Sequence, residues 1–177
     1  MDGTYGRTMF MRLKRRIVAV TFVLSLIGHF GTTAAVAQWN LGISGGLLGN
    51  TPDGTAFALN ADAEHVVGPH FSLGPLAQLA LTGNLFQIGL SGQAKYSIDT
   101  SRLLTGTRMN VQGGIGFVHA NFLTADTSWL IPLGVGLDYP LGSRIALTAT
   151  FLLNLTDLHT SGGSTTVMPG LTVGIRF

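Results

Sequence analysis

The 177-residue sequence has no cysteine, and Asp, Glu, Lys and Arg together make up only 10% of it. Without cysteine there is no disulfide framework and no thiolate metal site. The formal charge of +2 does not describe the bulk of the chain, because five of the ten basic residues (Arg7, Arg12, Lys14, Arg15, Arg16) fall in the first sixteen positions. Beyond Ala37 there are five basic residues (Lys95, Arg102, Arg108, Arg144, Arg176) and seven acidic ones, a net charge of −2. A nucleic-acid partner is therefore not expected. The same stretch contains one lysine and one glutamate, too few for the surface of an ordinary water-soluble domain. His65, His70, His119 and His159 show no metal-ligand spacing. The Gly113-Gly114-Ile115-Gly116 run leads into no helix and makes no phosphate loop. Neither a metal nor a cofactor is expected.

The N-terminal part reads as an address. Arg12 to Arg16 form a positive region, Ile17 to Ile27 an apolar run of eleven residues, and Thr32 to Ala37 a small-residue stretch ending in Ala-x-Ala. That is the pattern of a secretory signal peptide, with cleavage expected between Ala37 and Gln38. The apolar run is shorter than the roughly 20 residues that cross a bilayer as a helix. Residues 1–37 are thus expected to be removed after export by the Sec route, leaving 38–177. Met1 to Phe10 look like an extension upstream of the signal, with Met9 and Met11 as alternative starts.

Glycine is abundant, with 25 residues, and beyond Gln38 no helical period of useful length appears. Alternation with period two recurs instead, broken by turn residues. The pattern predicts eight strands, over 39–47, 56–67, 71–81, 85–98, 107–118, 128–139, 145–156 and 166–177. On the fourth, Phe86, Ile88, Leu90, Ala94, Tyr96 and Ile98 oppose Gln87, Gly89, Ser91, Gln93, Lys95 and Ser97. Every segment repeats this contrast between a large apolar face and a face of Gly, Ser, Thr, Asn and Gln. A soluble barrel would carry many charges on its outer face. An apolar exterior around a polar interior fits lipid as the solvent, where only a closed barrel satisfies strand backbones. The expected fold is an all-β, eight-stranded, antiparallel up-and-down transmembrane β-barrel, in which small side chains fill a narrow lumen.

Aromatic residues sort to the segment ends. Trp39, Phe71, Tyr96, Tyr139 and Phe177 lie beside the tight turns and termini, and Phe57, Phe86, Phe117 and Trp129 beside the other connections. Two interfacial girdles are expected. Breaks at Gly68–His70, Asp99–Arg102 and Pro140–Ser143 read as short turns; those at 49–55, 82–84, 119–127 and 157–165 read as longer external loops. Pro75, inside the third segment, predicts a bulge or a displaced bond. Leu76 and Leu152 point into the lumen on this register, and His65 points out. Asp62, Glu64, Lys95, Arg108, Asp138 and Arg176 fall on the lumen face. Two readings of them stand: a salt-bridged plug, or charges wetted at one mouth.

Three strands carry a resemblance: Val111-Gln112-Gly113-Gly114-Ile115-Gly116-Phe117, the run from Ile131 to Tyr139, and the ending Leu171-Thr172-Val173-Gly174-Ile175-Arg176-Phe177. On these the chain resembles the outer-membrane-protein β-barrel domain family of the OmpA/OmpX type over about 38–177. The resemblance implies a monomer in the bacterial outer membrane, in contact with outer-membrane lipids and lipopolysaccharide. It also implies that Phe177 is the signal read by the barrel-assembly machinery. Unlike OmpA, the sequence shows no peptidoglycan-binding domain after Phe177. The expected role is structural, in envelope integrity, and not enzymatic. The alternative is a lipid A acyl-modifying enzyme, in which His119, Asp126 and Ser128 would supply base, orienter and nucleophile.

Overall fold

A computed structural model describes residues 39–100, 106–160 and 163–177. The expected signal segment, 1–37, lies outside them. The described chain forms eight strands: β1 (Trp39–Thr51), β2 (Gly54–Val66), β3 (Phe71–Leu81), β4 (Phe86–Asp99), β5 (Arg108–Phe122), β6 (Thr124–Pro140), β7 (Ala146–Thr160) and β8 (Gly163–Arg176). Each pairs antiparallel with its neighbours in sequence, and β8 pairs with β1, so the barrel is closed in up-and-down order. The seam is completed past the end of β8. Leu41 N donates to Phe177 O (2.7 Å) and Phe177 N to Leu41 O (2.9 Å).

One rung followed from Trp39 runs through His65, Leu73, Ala94, Gly113, Leu133, Leu153 and Pro169. It returns to β1 beside Gly49, ten residues further along. Eight strands with that stagger tilt by about 40°. Tyr96 and Phe86 on β4, and Tyr139 and Trp129 on β6, are each ten residues apart, which on such a strand is a rise of about 25 Å. That equals the height of the apolar band of outer-membrane barrels. Every strand turns large apolar side chains outward. Ile115 is 72% exposed, and Leu47 and Leu171 are each 58% exposed. The continuous belt they form is far larger than a water-soluble monomer tolerates.

The connections depart from expectation. At the end that holds both termini they run over 67–70, 100–107 and 141–145. Ser101 and Arg102 of the middle one lie outside the described residues. At the distal end, β1 and β2 are joined by two residues, β3 and β4 by four, β5 and β6 by Leu123 alone, and β7 and β8 by two. The longer loops anticipated at 49–55, 119–127 and 157–165 are therefore largely strand, whereas the break at 82–84 is found as a connection over 82–85. Pairing continues to Thr51↔Gly54, Phe122↔Thr124 and Thr160↔Gly163. Left-handed backbone at Leu123 (φ 56°) reverses the chain between β5 and β6, and at Asn50 (φ 54°) it accompanies the register shift between Leu48 and Thr51 just before the turn.

At Pro75 there is no bulge, and of the two expected outcomes it is the disturbed ladder bonding that the structure shows. The β2–β3 register is the same on both sides of it, Asp62↔Leu76 and His65↔Leu73, with pairing interrupted between them and no extra residue inserted. Gly74 makes this possible: a Cβ there would lie 1.7 Å from the Ala63 carbonyl oxygen. Gly74→Ala should therefore force the β2–β3 seam apart and destabilise the barrel by roughly 1–3 kcal/mol. Gly92→Ala, where a Cβ meets nothing within 4 Å, should change stability by less than about 0.5 kcal/mol. Urea titration of protein folded into lipid vesicles measures both.

Candidate functional site: the lumen and its two ends

Because alternate residues face inward, the interior is assembled rung by rung from eight strands, and its chemistry changes along the axis. Toward the termini it is polar and charged. Arg176 on β8 sits between the small rung neighbours Gly42 and Ala146 and extends across the lumen. Its Nη2 lies 3.1 Å from Glu64 Oε1 and 3.4 Å from Asp62 Oδ2, both on β2, and its Nη1 lies 3.1 Å from Asp138 Oδ2 on β6. Lys95 on β4 also pairs with Glu64 Oε1. Ser72 Oγ donates to Glu64 Oε2 (3.1 Å) and Asn110 Nδ2 to Asp138 Oδ2 (3.2 Å). Gly42 leaves the room this needs, since a Cβ there would lie 2.4 Å from Asp62 Oδ1.

Five of the six lumen charges singled out in the sequence thus meet in one cluster. Arg108 does not join it. Although its rung partner on β6 is Asp138, it starts β5 at the mouth, is exposed, and belongs to none of the cluster's ion pairs. Glu64 and Lys95 are only 2% and 3% exposed, so removing one partner would strand a charge in a low-dielectric interior.

Toward the distal end the lumen is apolar, which the sequence reading missed. Leu48, Leu85, Val118, Leu130, Leu158 and Met168 pack together there, almost wholly buried. Leu76 and Leu152 are buried in the lumen between this plug and the charges. The voids nearby measure about 10 and 20 Å³, each enough for about one water-sized solute. The signal for the plug was present in the inward parity of these side chains. Their shared height was not, because it depends on the stagger.

The nine aromatics form two rows on the outer surface, one near each end. All but Phe86 and Phe71 are at least 45% exposed. His65 points outward, its ring 5.2 Å from that of Trp39; His70 lies 6.0 Å from Tyr96.

His119, Asp126 and Ser128 are not brought together. Their rungs are His119↔Thr127, Ala120↔Asp126 and Val118↔Ser128. Val118 and Ala120 are buried in the lumen, so Asp126 and Ser128 share the inner face and His119 takes the outer one. His119 Nδ1 lies 2.7 Å from Thr127 Oγ1. The β6–β7 ladder ends at Leu130↔Thr156. Beyond it Ser128 Oγ accepts from Asp157 N (3.2 Å) and Asp126 Oδ2 from His159 N (2.6 Å), so these side chains replace ladder bonds between splayed strands. The His159 amide, and then that of Thr127, hold the Asp126 carboxyl below its ordinary value of 3.8.

No protein-family model matches the sequence, and no curated protein matches it. Solved structures do match. Neisserial surface protein A (NspA) aligns with a TM-score of 0.61 at 12% identity, covering 78% of this chain and 94% of its own. The N-terminal β-barrel domain of Pseudomonas aeruginosa OprF aligns at 0.53 and 17% identity, covering 80% and 99%. Ail, the attachment invasion locus protein of Yersinia pestis, aligns at 0.50 and 10% identity, covering 80% and 97%.

Two outcomes are expected. Arg176→Met leaves three carboxylates facing Lys95 alone and should cost roughly 3–5 kcal/mol, read as a lowered urea midpoint in vesicles. The Asp126 carboxylate, with its lowered pKa, should keep its bond to the His159 amide at neutral pH and down through 3.8. The bond is lost only as pH falls through the lower folded value. Amide exchange at His159, compared with that in Asp126→Ala, measures it. The chain has the fold of the small outer-membrane barrels of the OmpA/OmpX type.

Proposed function

We propose that this chain is an integral protein of the bacterial outer membrane, exported behind a cleaved N-terminal signal, with a closed lumen and a structural role in envelope integrity. The observation that carries this reading is a lumen sealed in two layers beneath a lipid-facing exterior. The ion-pair cluster seals the half nearer the termini, and the apolar plug seals the distal half. Voids of about 10 and 20 Å³ give hydrated ions no path, and open aqueous channels belong to barrels of many more strands. The two aromatic rows serve as interfacial girdles, with the termini in the periplasm and lipopolysaccharide around the distal row. Phe177, bonded to Leu41 in the seam, is the residue the assembly machinery would read.

The lipid-modifying alternative required a hydrogen-bonded base and nucleophile. His119 on one face of the sheet and Ser128 on the other give it no support. Purified protein in planar bilayers should show no conductance steps above the lipid baseline. Long-lived open channels in the unmodified protein would overturn the closed-lumen reading.

A further inference from the structure

Between the ion-pair cluster and the termini the lumen widens into a vestibule of about 700 Å³, within the size range of small-molecule sites. Its inner wall includes Glu64, Asp138 and Arg176. Arg108, at the start of β5, and Arg144, in the 141–145 turn, line it at the rim. Wall and rim differ in charge. The cluster sets three carboxylates against two cationic side chains, which leaves one negative charge to be met by a proton or by a third cation. At the rim, Arg108 and Arg144 are exposed, and neither is ion-paired with another described residue. Asp99, the rung neighbour of Arg108 on β4, is not part of the vestibule lining.

We propose that this vestibule binds a zwitterionic solute, one bearing an ammonium group and a phosphate or carboxylate. The ammonium is directed to Asp138 on the inner wall, where it supplies the cation the cluster lacks. The anion lies between Arg108 and Arg144, whose guanidinium groups suit either oxyanion. Arg176 is held by its three carboxylates and does not serve the anion, so selection for the anion rests on the rim. The site rests on the closed lumen only in that the cluster must form a floor.

The test uses the folded protein in octyl glucoside, because a zwitterionic detergent would compete. Phosphoethanolamine is titrated and followed by calorimetry and ³¹P NMR, with ethanolamine and inorganic phosphate as single-charge controls. Phosphoethanolamine should bind at least about fivefold more tightly than either control, and Arg108→Ala or Arg144→Ala should each weaken it by about tenfold. Both positions lie outside the cluster, and heat-modifiable migration on a gel confirms that the variants are folded. Equal affinity for phosphate and phosphoethanolamine would reduce the site to an anion patch and overturn the proposal. So would absence of binding, or unchanged affinity in the Arg108→Ala, Arg144→Ala double variant. Bilayer recordings on the same samples separate the two claims: a conducting protein refutes the closed floor, whereas a silent one that binds nothing refutes the site alone.

Discussion

In hydrocarbon an unpaired backbone amide or carbonyl has no water to turn to, so a sheet exposed to lipid must close on itself. The rest of this structure depends on that requirement. The ring closes where β8 meets β1, over the pairs from Gly42↔Arg176 to Leu48↔Gly170 and the two Leu41–Phe177 bonds beyond them. Closure with a stagger of ten fixes which residues share a height as well as which face each one takes. A one-residue slip anywhere in the ring would turn a row of leucines and valines inward and a row of glutamines outward. The outer belt and the lumen are therefore set by the same constraint, and neither can be altered without the other.

A narrow interior then forces its charges together. With eight strands the opposite walls are within reach of a single arginine, and Arg176 touches carboxylates from both β2 and β6. In a wider barrel the same residues would be solvated separately and each pair would contribute little. Here they are largely desolvated, and each depends on its partners. The small residues along the lumen face belong to the same arrangement: the space that Gly42 leaves empty is taken by the Asp62 carboxylate.

Alternation is a local property, and it was legible. The segment 71–81 coincides with β3 residue for residue, and the others differ at their ends. The errors fell where two physical readings share one sequence. Around Leu123 there is no glycine to signal a reversal, yet a single left-handed residue turns the chain, so a hairpin tip reads as a loop. At Pro75 the choice between a bulge and a displaced bond stayed open, because its partner strand, with the Ala63 carbonyl seated against Gly74, is invisible along the chain. The apolar plug and the exclusion of Arg108 from the cluster both depend on height, which only the closed ring defines. The separation of His119 from Ser128 was different. Phe117 and Trp129 face outward, so parity alone puts His119 with them and Ser128 opposite, and the alternation already contained that answer.

The two ends of the barrel are unlike, and their difference follows from what fills them. At the distal end Leu158 and Met168 come from a hairpin whose backbone pairing with β6 ends at Leu130↔Thr156 and with β1 at Leu48↔Gly170, short of its tip. Asp126 and Ser128 tie it to β6, and Asn50 Nδ2, bonded to Val167 O at 2.6 Å, ties it to β1. Side chains thus hold the plug where backbone pairing has run out, through bonds that are themselves exposed. The described acids of that end are Asp53, Asp126 and Asp157, and no described lysine or arginine lies there. At the other end the lumen is floored by charges and lined at its rim by arginines. Whatever enters from the side of the termini meets a charged cup about 700 Å³ in volume, and whatever approaches from the distal side meets packed hydrocarbon.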